Sequence, residues 1–350
     1  MTIQLKTIKA SGIDYADLPA FENAAAISST NDDPWHAECY SGVNMGAFEK
    51  GAWAEEPSTE AGRIKIYAAP GHEHDGSWST SSGAYSSVTS GNNIKAYAQR
   101  LDYFTFEGLL LLNSKNSSAT ILVSSSATGN KLEFKRMWCK NTHATPTGTN
   151  VYFSTNSSSA AVSDVTFENM VIWRGTTGMY LAAGSNAPNS DYTISNCTIY
   201  GVSVRGFHAG FTWGTQVDTL VLQNMAIGES DTADFLIVGG DSITVGNNIS
   251  TDATADDDGG SNHQINVDED DIWVDAANGD FRLTADSKAR GAGVTIAAVT
   301  KDIVGTAVPQ GADHDVGAYE YKIPSALRGA GNRPMKRKRN MSMSGLGTGR

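Results

Sequence analysis

Six short stretches of the chain share one alternation of apolar and polar positions. They read Phe-Glu-Gly-Leu-Leu-Leu at 106–111, Phe-Lys-Arg-Met-Trp-Cys at 134–139 and Phe-Glu-Asn-Met-Val-Ile at 167–172. The pattern returns as Ile-Ser-Asn-Cys-Thr-Ile at 194–199, Leu-Gln-Asn-Met-Ala-Ile at 222–227 and, more faintly, Val-Gly-Asn-Asn-Ile-Ser at 245–250. In each, an alternating apolar strand leads to a pivot residue, and a second apolar strand follows. Period-two alternation sends one set of side chains inward and the other outward. The pivots fall at 108, 136, 169, 196, 224 and 247, so the phrase recurs at steps of 28, 33, 27, 28 and 23. Self-similarity at such a period predicts stacked supersecondary units rather than one sheet. Ser-, Gly- and Asn-rich stretches between the copies, such as 114–118, 154–159 and 184–190, supply the remaining turns and loops.

The pivot has to bend the chain without stranding polar groups. Asn tolerates the left-handed backbone region and bonds to nearby backbone. Asn169, Asn196, Asn224 and Asn247 (or Asn248) occupy this position, so a ladder of Asn side chains bonded from coil to coil is expected. On these residues the chain resembles the right-handed parallel β-helix (pectate-lyase-like) family. The resemblance implies an all-β solenoid of coils piled along one axis. A β-sandwich or jelly roll with coincidental spacing is the competing architecture.

Outside the repeats, four regions are expected. Residues 1–100 form an N-terminal cap and first irregular rungs. Within them 15–27 is the best helix candidate, with Asp17 as cap and Pro19 in the first turn. Residues 63–67 and 93–97 read as strands. Regular rungs fill 101–250, a closing segment 251–323, and a basic arm 324–350. The closing segment contains Phe281-Arg282-Leu283 and, from Asp302, the spaced residues Gly305, Pro309, Gly311, Asp315, Gly317 and Glu320. This pair of phrases resembles a terminal segment of many β-helix proteins, found in bacterial surface proteins and in phage genes. The resemblance implies a place where a β-helix closes, not an activity.

Charge is distributed unevenly. The net charge is −12, yet the arm holds seven Lys or Arg and no acid, leaving 38 acidic against 19 basic residues elsewhere. Arg333, Lys336, Arg337, Lys338 and Arg339 make the arm a candidate for docking on an acidic partner. A disordered solubilising tail is the plainer reading. Nucleic acid is the poorer partner, because no aromatic platform accompanies the cations and the body repels phosphate. No apolar run reaches the roughly 18 residues that a membrane-spanning helix needs. The start lacks an apolar signal region, which points to synthesis in a host cytoplasm. Cys39, Cys139 and Cys197 are too few and too far apart for a disulfide framework and read as buried small apolar residues.

Candidate chemistry is sparse. β-helix lyases need a base and acidic residues that hold Ca²⁺; hydrolases need paired carboxylates. Glu107, Glu133 and Glu168 sit at outward positions and are the candidate carboxylates, though solvated strand residues is the simpler account. Arg174, Arg205 and His208 follow rung strands and are candidates for a groove. His72-Glu73-His74-Asp75 has metal-ligand residues but loop flanks. The acidic stretch 252–271 is a candidate Ca²⁺ site without EF-hand or β-roll spacing. The seven Trp residues offer cover or a sugar-stacking face.

No catalytic residue is assigned. The expectation is a non-enzymatic structural protein of a tailed-bacteriophage virion: a head decoration (cement) protein or compact tail spike, docked on other virion proteins. The family resemblance adds a homotrimer and, as a further partner, a host surface glycan. The alternatives are a polysaccharide lyase or glycoside hydrolase, and a bacterial surface adhesin.

Overall fold

The computed structural model describes residues 3–9, 14–28, 34–50, 60–76, 78–97, 103–124, 131–155, 164–183, 190–211, 219–240 and 242–324. Its architecture is a parallel β-solenoid. A nine-stranded parallel sheet forms the first face, beginning with Gln4–Ile8, Trp35–Cys39 and Ile64–Ala68 and ending with Ser242–Gly246. A twelve-stranded sheet wraps a corner to make the second and third faces. Val171–Ala183 and Thr198–Phe211 each run continuously across both, with a register shift between Gly175 and Thr177 marking the corner.

Register follows the repeated phrase. Phe106, Phe134, Phe167 and Ile194 stand over one another on the first face. Phe106, Phe134 and Phe167 stack inside the coil, with centroids 5.3 and 5.1 Å apart and interplanar angles of 9° and 7°. Stacking like on like at the strand spacing is what an in-register parallel ladder imposes. All three cysteines are buried and free, with thiol pKa values raised by burial.

Every pivot adopts positive φ: Gly108 at 72°, Arg136 at 52°, Asn169 at 52°, Asn196 at 51°, Asn224 at 57° and Asn247 at 56°. A second left-handed column, which the repeat did not signal, turns the corner between the second and third faces. It comprises Arg174 (63°), Gly201 (65°) and Glu229 (58°) on neighbouring coils. Three unlike residues share one backbone need, so no sequence phrase marks it. A non-Gly residue there costs on the order of 1–2 kcal/mol. Glu229 is exposed and carries that cost, so Glu229→Gly is expected to stabilise the fold by about 1 kcal/mol in denaturant titration.

The helix Leu18–Ser28 lies within the expected N-terminal region. Asp17 accepts a hydrogen bond from the Ala20 N–H at 2.9 Å, and Leu18 and Phe21 are buried in the core with Trp35 against Phe21.

Residues 251–267 add a last partial coil, with parallel bridges from Gly246 to Ser261 and from Ile249 to Gln264. Residues 268–324 then run back along the outside of the second face and cover it. Ile272, Trp273, Phe281, Leu283, Ile303 and Tyr319 build a second core with the outward Trp138, Trp173 and Tyr200 of that face. Three contacts fix the path: Gly317 N–H donates to Asn224 O (2.8 Å), Ala318 N–H to Thr198 Oγ1 (3.0 Å) and Tyr319 O–H to Gly76 O (2.8 Å). Gly279, at φ 85°, passes so close to Trp173 that a Cβ would lie 2.5 Å from the indole.

Candidate functional site

The pivot asparagines line one corner, but their side chains do not run as a single ladder. Asn224 Nδ2 donates to Asn196 Oδ1 at 3.3 Å. Otherwise the amides reach outward to the returning segment: Asn169 to Lys301 O (2.8 Å), Asn196 to Asp315 O (3.3 Å), Asn224 to Val294 O (2.8 Å) and Asn247 to Ala292 O (2.8 Å). Coil-to-coil bonding is left to the backbone, as from Asn196 N–H to Gln223 O at 3.1 Å. The reason is competition: the returning segment presents free carbonyls along this corner, and an amide donor bonds the nearest well-placed acceptor. The column is a docking strip for residues 292–315.

The acids of that segment serve the same purpose. Asp302 accepts from the N–H groups of Val304 (3.0 Å), Thr306 (2.6 Å) and Glu320 (3.1 Å). Asp315 accepts from Gly291 (2.6 Å) and from Tyr321, and Glu320 from Asp315 (3.1 Å) and from Gln310. Burial pushes Asp302 up to about 6 and Glu320 up to about 7, against these N–H donors. The spacing from Asp302 to Glu320 therefore encodes a knot of backbone acceptors.

Glu107, Glu133 and Glu168 are brought together on the outer side of the first face. Lys135 stands in register between Glu107 and Glu168, and Glu133 between Thr105 and Thr166. Every one of the three is ion-paired. Glu107 meets Lys65 (2.6 Å) and Arg136 (2.7 Å), Glu133 meets Lys135 (3.0 Å) and Arg63, and Glu168 meets Lys135 (3.9 Å). Burial raises all three carboxyls. In Glu107 the cations Lys65 and Arg136 outweigh it, and in Glu133 Lys135, Thr105 and Arg63 do, so both lie below the usual range. Glu168 stays above it, because burial and the charges of Glu107 and Glu133 exceed what Lys135 supplies. Carboxyls pushed apart in this way can in principle divide acid and base roles. Here their oxygens already hold Lys and Arg, so a substrate has to break an ion pair before it meets either group.

The other sequence candidates separate. Arg174 turns the second corner, Arg205 sits in register with Thr177 just past it, and His208 lies on the third face. His72 Nδ1 is 2.9 Å from Ser41 Oγ, whereas His74 is buried with Nε2 3.0 Å from Arg136 O, so the two rings serve different partners. Among the described residues no three His, Cys, Asp or Glu side chains converge as metal ligands. In the acidic stretch, Asp252 accepts from Asp234 N–H (2.8 Å) and Asp258 bonds the Ile237 backbone. These acids cap the last strand of the third face, Ala233–Val238, which pairs on one side alone. The cations Arg333, Lys336, Arg337, Lys338 and Arg339 lie outside the described residues, as do Trp53 and Trp213.

Trp138 and Trp173 are buried under the returning segment, which contributes the buried Trp273 to the same core. Trp78 is 40% exposed and, with Asp75, Asn278, Asp280 and Arg282, lines a cleft of about 360 Å³. Behind it Lys140, 5% exposed, places Nζ 3.3 Å from the Trp78 ring centre and 3.6 Å from that of Trp173. Burial, helped by the Arg174 charge, pushes this amine down to about 7. An unfolded lysine titrates near 10.4, so between about pH 7 and 10 the unfolded chain holds the extra proton and folding stability rises with pH. That rise is expected to shrink in Lys140→Met, measured by denaturant titration at pH 7 and 9.

Sequence reading missed the third face. Leu122, Tyr152, Tyr180, His208 and Leu236 stand in one outward column, beside Ser154, Ala182, Gly210 and Val238 in the next. Tyr180 and His208 stack face to face, 4.4 Å apart and 8° from parallel. A signal was present: positions 152, 180, 208 and 236 recur at one constant step, and each is flanked by inward apolar residues.

No family model matches the chain, and no curated protein does. Among solved structures it is similar to the crystal structure of pectate lyase Pel9A, at 12% identity over 92% of this chain and 98% of that one, with a TM-score of 0.42. No helix among the described residues is long and apolar enough to cross a membrane.

Proposed function

We propose that the protein is a non-enzymatic structural component of a tailed-bacteriophage particle, a head decoration protein or compact tail spike. The observation that carries this reading is the state of its acids. The outward Glu107, Glu133 and Glu168 are ion-paired, and the buried Asp302, Asp315 and Glu320 of the returning segment accept from backbone N–H groups. Such a surface suits a rigid part better than a site for proton transfer. The solenoid is hydrogen-bonded coil to coil along its axis and sealed along one side by its own C-terminal segment, which suits mechanical load. In this reading the helix Leu18–Ser28 closes one end, and the cations from Arg333 to Arg339 dock on an acidic partner in the particle.

Mass spectrometry of purified phage particles tests the assignment: the chain is expected as a stoichiometric component, and its absence removes the proposal. Incubation with host capsule is expected to release neither reducing ends nor unsaturated uronates. Reducing ends without unsaturated uronates, lost in Glu168→Gln, would replace this reading with a hydrolase, and unsaturated uronates would replace it with a lyase.

A further inference from the structure

The side chains of Ser41 and His72 meet where two neighbouring coils leave the first face. Ser41 follows the strand Trp35–Cys39 and His72 follows Ile64–Ala68, with Cys39 in register with Ala68. The pair has a defined polarity. Ser41 N–H donates to His72 Nδ1 at 3.3 Å, and Ser41 Oγ lies 2.9 Å from the same nitrogen. A backbone N–H only donates, so Nδ1 carries the lone pair and the proton of the neutral ring is on Nε2. The hydroxyl therefore donates to Nδ1. In that arrangement an imidazole takes the proton of a serine as its oxygen attacks.

The imidazole is held in place. His72 N–H donates to Ala69 O (2.8 Å), His72 O accepts from Ala84 N–H (2.9 Å), and the ring packs against Tyr40 with centroids 4.7 Å apart. The hydroxyl is approachable. Both residues are only partly buried, and a Cβ built on Gly42 or Gly71, the turn residues beside them, meets nothing within 4 Å. Gly42 N–H, next after the serine, makes no hydrogen bond among the described contacts. One backbone donor beside the hydroxyl is thus free to meet an oxyanion.

From this geometry we infer that Ser41 is a nucleophilic serine activated by His72, and that the ligand class it takes is the activated carboxylic ester. Ser41 Oγ attacks the carbonyl carbon while its proton passes to Nδ1. The bond from that carbon to the leaving oxygen then breaks, and the leaving alkoxide takes the proton from Nδ1 as an alcohol. Ser41 is left as an O-acyl ester, and no further reactant is needed. Hydrolase triads add a carboxylate that orients the imidazole. Among the described contacts none bonds His72 Nε2: Glu73 accepts from Gly71 N–H (2.7 Å), and Glu38 from the hydroxyls of Tyr67 (2.9 Å) and Tyr40 (3.3 Å). Attack of water on the acyl group is slowed accordingly, so the site takes up one acyl group rather than turning over. The inference stands apart from the particle assignment: one acylated serine leaves a structural role intact, and either can fail alone.

The test is p-nitrophenyl acetate on the full chain, with released p-nitrophenol followed by absorbance and the acetyl group located by peptide mass mapping. The wild type is expected to give a stoichiometric burst and to carry the acetyl group on Ser41. His72→Gln, which keeps an acceptor for the Ser41 N–H but no base, is expected to slow the burst by at least about a hundredfold. Ser41→Ala is expected to abolish it, while Ser41→Cys, which keeps a nucleophile on the same base, retains it. His143→Gln, a change at a histidine outside the pair, is expected to leave it unaltered. Circular dichroism checks that each variant is folded; if His72→Gln is not, His72→Phe takes its place. A wild type without acetyl on Ser41, or a His72 variant acetylated there as fast as the wild type, overturns the inference. Steady turnover that the Ser41→Ala and His72 variants both lose upholds the pair and counts against the non-enzymatic assignment.

Discussion

Phe281→Ala is expected to cost about 3–5 kcal/mol and to release the returning segment before the coils unfold. Phe281 is fully buried and sits at the centre of an aromatic cluster. Its ring centre lies 5.7 Å from Trp138, 5.9 Å from Trp173, 5.6 Å from Tyr200 and 5.9 Å from Trp273. Truncation opens a cavity bounded by rigid rings that cannot collapse into it, which places the cost at the upper end for aromatic deletions. The segment's core is separate from the core inside the coils, and each has its own buried apolar residues. The loss should therefore appear first in tryptophan fluorescence and in proteolysis between 268 and 324, while far-UV dichroism of the coils persists to higher denaturant. A single coincident transition, or a loss below about 1 kcal/mol, would show that the segment is not fastened by this cluster.

How much of this was legible beforehand depends on what kind of rule each feature obeys. The coils were legible because a parallel solenoid repeats one environment. Phe106, Phe134 and Phe167 recur at the same place in the phrase because each fills the same slot one coil higher. The first corner was legible because Asn is a cheap residue for its left-handed backbone. The second corner was not, since Arg174, Gly201 and Glu229 meet the same need with three chemistries. The terminal phrase suggested a segment that closes a β-helix, whereas its path along the outside of the second face was hidden. Nothing in the spacing of Asp302, Asp315 and Glu320 tells whether acids so placed face a metal, a substrate or their own backbone. The candidate carboxylates were a similar case. Glu107 and Glu168 share a column, as their place in the repeat implies, but the lysine between them was not part of the expectation. Lys135 occupies the same column one coil away, and only a register-level reading converts a list of acids into an ion-pair lattice.

Asn224 joins the two halves of the molecule, and its replacement should show this. It is fully buried, holds φ at 57° and makes three side-chain hydrogen bonds to two residues. Its Nδ2 donates to Val294 O at 2.8 Å and to Asn196 Oδ1 at 3.3 Å, and its Oδ1 accepts from Val294 N–H at 2.8 Å. Asn224→Ala removes all three bonds and forces a Cβ residue without a compensating side chain into the left-handed region. The backbone share is about 1–2 kcal/mol. The orphaned amide and carbonyl of Val294 add roughly 1–3 kcal/mol, reduced where water reaches them. A total of about 3 kcal/mol is expected in denaturant titration. Asn224→Gly separates the parts, since Gly accepts the backbone angle freely yet supplies no side-chain bond. It should recover about 1 kcal/mol of the loss while leaving residues 292–315 as exposed to hydrogen exchange as in the Ala variant. If Gly restores full protection there, the corner needs only a backbone shape, and the asparagine amides do not hold the returning segment to the coils.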